Sequence, residues 1–252
     1  MEPAVYLPAP TPNKNLRDNL RHEEKFETDL TTGFAERIRH ALLEIGVPAR
    51  NHPSTQEAVP AEIARLQCLK GFPAQPFGLI GPPGCGKSCS FVAALRRALK
   101  AEFTAAGPSR WEDGKFYQTG ARTEFKWVGW PAMAIRMKGL AARREWLVPE
   151  ASTAGLIQWL ATDQDGRRVL ILDDLGMETL KPDSYTTEQL ELLIDEAYGL
   201  GTARVFWTSN KLVEDLEQPT AYGPRLMSRL LGMSPDATLP ATMPDLRVKA
   251  RT

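Results

Sequence analysis

The sequence predicts an α/β fold in which a mostly parallel sheet is flanked by helices, and three observations carry that expectation. From about residue 61 onward, helix-period and strand-like segments alternate as in a doubly wound sheet. Three apolar runs, "FGLI", "VLIL" and "VFW", each end abruptly in glycine or polar residues. Ligands of such sheets bind at those strand ends. Finally, "GPPGCGKS" at residues 81–88 has the spacing of a phosphate-holding loop between a strand and a helix.

Taken in order, residues 1–13 hold four prolines among few large apolar residues and read as a flexible tail, with order beginning near Leu16. The tail is therefore set at 1–15. Residues 16–60 form a small helical region and linker. Within it Phe34, Ile38, Leu42 and Ile45 make an apolar stripe that ends at Gly46-Val47-Pro48. That stripe suits packing on the rest of the chain as well as docking on a partner. Residues 61–252 form the main domain. Its expected strands are Phe77 to Ile80, Phe125 to Gly129, Val169 to Leu172 and Val205 to Thr208. The helices lie near 88–103, 131–145, 153–161 and 186–198. The stretch "SRWEDGKFYQTGARTE" has no clear period and reads as a loop insertion.

The whole chain has 252 residues, 42% hydrophobic and 25% charged, with 31 basic and 31 acidic residues. Zero formal net charge restricts any nucleic-acid contact to a local patch. No apolar run reaches the roughly 20 residues of a membrane span, and no signal-peptide pattern opens the chain, so a cytoplasmic protein is expected. Cys68, Cys85 and Cys89 have neither zinc-site nor disulfide-framework spacing.

In the loop, Gly81, Pro82, Pro83, Gly84, Cys85 and Gly86 would turn successive N–H groups inward. The following helix adds roughly half a positive charge toward an anion. Lys87 would reach the β- and γ-phosphates of ATP and the Ser88 hydroxyl a Mg²⁺. At the end of "LILDD", Asp173 would join Ser88 on the metal and Asp174 would polarise a water. In "FWTSN", Asn210 would hydrogen-bond both water and γ-phosphate. Cys85, near a helix N-terminus and Lys87, is expected to alkylate readily when no nucleotide is bound. Arg225 and Arg229 stand one helical turn apart in "YGPRLMSRLL". On residues 131–145, Arg136, Lys138 and Arg143, followed by Arg144, lie beside Trp130 and Trp146. Cations with aromatic neighbours suit single-stranded DNA, and equally a solvated helix over a core.

The series "ALLEIGVPAR", "GPPGCGKS", "FKWVGWPAM", "LILDDLG", "FWTSN" and "YGPRLMSRL" resembles the DnaC/IstB-like AAA+ ATPases, over roughly residues 34–250. The resemblance implies an AAA+ core without a C-terminal lid. It implies an ATPase that is DNA-stimulated, assembles with itself through Arg229 as an arginine finger, and has Arg225 as second choice. Asn210 becomes the sensor-one residue, and Arg247 in "PDLRV" a late arginine of the sensor-two kind. The elements after the second strand face a DNA-binding pore. The implied partner, engaged through the N-terminal region, is a replicative helicase or, for the transposition helpers, a transposase. Asp174 stands where many AAA+ proteins have glutamate, and Ala197 where the family often has arginine. From the residues alone, a monomeric P-loop kinase and a poorly hydrolysing nucleotide-binding scaffold are the readings of another class.

Overall fold

The computed structural model describes residues 35–51, 72–105, 110–112, 115–117, 123–143, 152–163, 165–178 and 185–238. The chain divides into two compact units, 1–40 and 41–252. Arg144 and Arg247 lie outside the described residues, as do the expected tail and most of the expected linker.

The described helices are α1 (35–45), α2 (Lys87–Ala105), α3 (Trp130–Arg143), α4 (Thr153–Ala161), α5 (Tyr185–Leu200), α6 (Val213–Leu216) and α7 (Gly223–Met233). The strands are β1 (Gly78–Ile80), β2 (Arg110–Glu112), β3 (Lys115–Tyr117), β4 (Glu124–Gly129), β5 (Arg168–Leu175), β6 (Arg204–Ser209) and β7 (Asp236–Thr238).

Five strands pair in parallel in the order β4-β5-β6-β1-β7. Alternation sorts their side chains between two layers. On one face Phe206 and Phe125 meet Phe91 of α2 together with Phe72 and Phe77; the Phe72 ring lies 4.7 Å from Phe206 and 5.2 Å from Phe125. On the other, Leu170, Leu172, Val205 and Trp207 are buried with Trp130 and Met137 of α3, Leu156 and Leu160 of α4, Leu190, Leu193 and Ile194 of α5, and Leu226, Met227 and Leu230 of α7. Trp207 lies flat over Gly78, where a Cβ would come within 2.0 Å of the indole.

Two elements differ from the sequence expectation. The stretch read as an insertion loop contains an antiparallel ribbon, β2 with β3, in which Trp111 stands opposite Phe116. Its signal was the Asp-Gly pair at 113–114, the two-residue hairpin signature, between strands too short to show alternation. Strand β7 has no apolar run to reveal it; it is defined by parallel pairing with β1.

Candidate functional site

Strand β6 lies between β1, which feeds the phosphate loop, and β5, which ends in the two aspartates. That order brings the polar end of β6 between them. Gly81 is still tied to the sheet through its N–H to the Ser209 carbonyl, 3.2 Å. Beyond it Gly84 and Gly86 adopt φ of 79° and 96°, a region closed to most side chains, and α2 begins at Lys87.

Lys87 is buried. Its ammonium donates to the carbonyls of Gly81 (2.8 Å) and Pro82 (2.9 Å) and to Oδ1 of Asn210 (2.7 Å), and lies 3.7 Å from the Cys85 sulfur. Burial lowers its pKa, opposed by Cys85 and by the charges of Asp174 and Asp173. Asn210 turns its other end to the acidic pair, Nδ2 donating to Oδ1 of Asp174 at 3.4 Å. A lysine has only donors and a carboxylate only acceptors, so these neighbours fix which way the amide points.

Asp173 is buried, and its Oδ1 accepts from the hydroxyls of Ser88 and Thr208, both at 2.7 Å. Thr208 also accepts the Asp174 N–H at 2.9 Å. Two adjacent strand residues normally face opposite sides of the sheet, yet both aspartates belong to this site. The reason is a bulge. Leu172 pairs with Trp207 but Leu175 with Ser209, so β5 carries one residue more than β6 across this interval. Asp174 takes the extra place with φ of 61°, the only non-glycine with positive φ among the described residues. The bulge turns Asp174 away from the apolar layer and lets Leu175 enter it. Ser209 steadies the join, its hydroxyl donating to the Leu175 carbonyl at 2.8 Å.

The donor set fits a hard cation: a buried carboxylate and a hydroxyl already in contact, both oxygen ligands, at the start of a helix whose lysine faces the same space. The arginines sit apart from this cluster, on α7 against α5. Arg225 pairs with Glu191 (3.4 Å) and Asp195 (2.9 Å), and Arg229 pairs with the other oxygen of Asp195. Arg136 and Lys138 are exposed on α3, beside an Ile135 that is 72% exposed. Arg143 is the last residue of α3, and nothing of its side chain is described.

One expectation is corrected. Cys85 is fully enclosed, its sulfur against the Lys87 ammonium, so a thiol reagent has no path to it in this conformation; half-buried Cys89 is the more open of the two. Spacing placed the thiol near the helix end but could not show that the loop folds over it. Sequence reading also missed Thr208, which joins both aspartates, and the buried Tyr222–Glu178 pair next to them. Thr208 stood in the quoted strand end, but its role depends on the bulge.

A phosphate loop, an acidic strand end and a polar strand between them, on a five-stranded parallel sheet flanked by helices, make this an α/β fold of the P-loop kind. This is the fold that the resemblance to the DnaC/IstB-like ATPases implies. No family model and no curated protein matches the sequence. Among solved structures the chain is similar to a putative primosome component from Streptococcus pyogenes serotype M3, at a TM-score of 0.50 and 18% identity, with 79% of this chain and 95% of that one covered. Lower likenesses are to DnaI (TM-score 0.47, 13% identity, covering 79% and 94%) and to the DnaC helicase loader (0.44, 18%, covering 71% and 86%). Among the described residues no helix is long and apolar enough to cross a membrane.

Proposed function

We propose that this chain is a Mg²⁺-dependent ATPase that assembles on DNA with copies of itself and loads or regulates a replicative helicase. The observation that carries the chemistry is the Asn210 amide, joined to Lys87 at one end and to Asp174 at the other. A P-loop alone supports binding; hydrolysis also needs a group that relates the γ-phosphate to the attacking water. Its bonds to Lys87 and Asp174 support assigning that task to Asn210.

In this reading the loop from Gly81 to Gly86 and Lys87 hold the phosphates of ATP, and Lys87 exchanges its carbonyl partners for phosphate oxygens. Ser88 and Asp173 would hold Mg²⁺, which would supply charge neutralisation for the phosphates. Asp174 accepts a proton from the water, and its strained backbone holds the carboxylate toward Asn210. Arg229 serves the pocket of a neighbouring copy as its finger, with Arg225 beside it. Arg247 is assigned the sensor-two role by resemblance alone. Arg136, Lys138, Arg143 and Arg144 form the DNA face, and the region before residue 60 binds the partner. The ordered motif series supports the loader assignment.

Lys87→Ala should abolish ATP binding, whereas Asp173→Ala should keep nucleotide affinity without metal and lose Mg²⁺-dependent turnover. Recovery of the tagged full chain from its native cell should bring down a replicative helicase. A transposase in its place would make the chain a transposition helper. ATPase activity unchanged in both variants, or phosphorylation of a small molecule by a monomer, would refute the reading.

A further inference from the structure

Two to four residues past the bulge, the chain leaving β5 is joined to α7 by a buried polar bridge that the roles above leave unused. The Gly176 N–H donates to the Tyr222 hydroxyl at 2.7 Å, and that hydroxyl donates its only hydrogen to Oε1 of Glu178. Tyr222 and Glu178 are both buried. The bridge stands at two critical joints. Gly176 is two residues beyond Asp174, with φ of 81°, and a Cβ there would meet Leu216 of α6 at 2.7 Å and Lys211 at 3.2 Å. Tyr222 is the N-cap of α7, three and seven residues ahead of Arg225 and Arg229; its own N–H donates to the Leu216 carbonyl at 3.0 Å.

Packing does not require this bridge. A phenylalanine at 222 and an apolar residue at 178 would fill the same space without the cost of taking a carboxylate and a phenol out of water. What the polar pair adds is direction. A hydrogen bond at 2.7 Å fixes the distance from the strand exit to the helix start, where apolar contact would let one slide over the other.

Resting on the ATPase reading above, we propose that Tyr222 is a positioning residue for hydrolysis: its hydroxyl, held between Gly176 and Glu178, locks the arginine-bearing helix α7 to the strand exit that presents Asp173 and Asp174. Each copy's own carboxylates and the arginine it offers to a neighbour are then set by one shared bridge. Tyr222 touches neither phosphate nor water. It acts through the backbone of residues 174–176 on one side and through α7 on the other.

Tyr222→Phe removes only the hydroxyl. In the full chain it should lower kcat about tenfold or more while KM for ATP stays within about twofold, because positioning errors of this kind act on the reacting geometry rather than on nucleotide affinity. Glu178→Gln keeps an acceptor oxygen for the hydroxyl and should retain kcat within about threefold. A merely structural role would lower Tm in both variants and leave kcat per folded molecule unchanged, which would overturn the proposal.

Mixing separates the two arms. Lys87→Ala and Arg229→Ala should each be inactive alone, and their mixture can pair an intact pocket with an intact arginine. Adding Tyr222→Phe to the Lys87→Ala chain tests arginine delivery; adding it to the Arg229→Ala chain tests the pocket. Both additions should reduce the recovered activity, and undiminished recovery with both would overturn the proposal. No recovery from the parent mixture would refute the trans role of Arg229 instead, and the comparison of kcat with KM would still decide Tyr222. A wild-type chain without ATPase activity would refute both.

Discussion

At the scale of single residues, Asp174 combines the most chemistry with the least comfortable backbone. A left-handed conformation costs an L-residue roughly 1–2 kcal/mol, less for asparagine and aspartate, whose short polar side chains bond locally. Asp174→Asn should therefore leave Tm nearly unchanged and reduce turnover by about 10² or more. Asp174→Ala should lose turnover equally and about 1 kcal/mol of stability as well; thermal melts beside steady-state ATPase assays give both readings. If the two variants melt together, the strain assigned to φ of 61° is not felt. The polar members of the site were legible because each closes an apolar run or sits at a fixed loop spacing. The bulge was not, since "LILDDL" reads as an apolar run closed by two acids until the partner strand shows that one residue is extra. Cys85 failed for a similar reason: spacing reports which atoms are near, whereas enclosure depends on the fold around them.

At the scale of elements, the strands that end in polar residues were legible from their apolar runs, and the helices from their 3.6-residue period. The ribbon β2–β3 and strand β7, three residues each, carry too few positions for any period to register. Contacts between elements were the least legible. Nothing in the spacing of Arg225 and Arg229 indicates that both rest on carboxylates of α5. These pairs are partly exposed and contribute little to stability, on the order of 1 kcal/mol or less. Asp195→Ala should accordingly change Tm only slightly. It should also release Arg229, so that ATP-dependent self-association, measured by sedimentation, begins at lower protein concentration. Association unchanged from wild type would show that Asp195 does not restrain the arginine.

At the scale of the whole molecule, the buried Glu178 ties folding to pH. Burial raises its pKa, against smaller opposing contributions from Tyr222, the nearby backbone N–H groups and Trp130; Tyr222 itself is pushed well above the usual phenol range, first by burial and then by Glu178. A carboxyl whose folded pKa is raised holds its proton more tightly folded than unfolded. Its contribution is complete below the unfolded value, about 4.3, and is lost as pH rises through the folded one. Stability should thus decline across that window, and Glu178→Gln, which cannot ionise, should flatten the decline in melts taken at successive pH values. A slope identical to wild type would place the titrating group elsewhere.

Asp195 has a further consequence, because it accepts two guanidinium groups through different oxygens. If Arg229 swings out to another copy, Asp195 is not stranded, since Arg225 stays on its second oxygen and also on Glu191. The chain that gave up this cation would keep a partner on every carboxylate left behind. In the proposed assembly the departure of Arg229 would therefore be an exchange of partners rather than a net rupture, with Arg225 holding the carboxylates that Arg229 leaves.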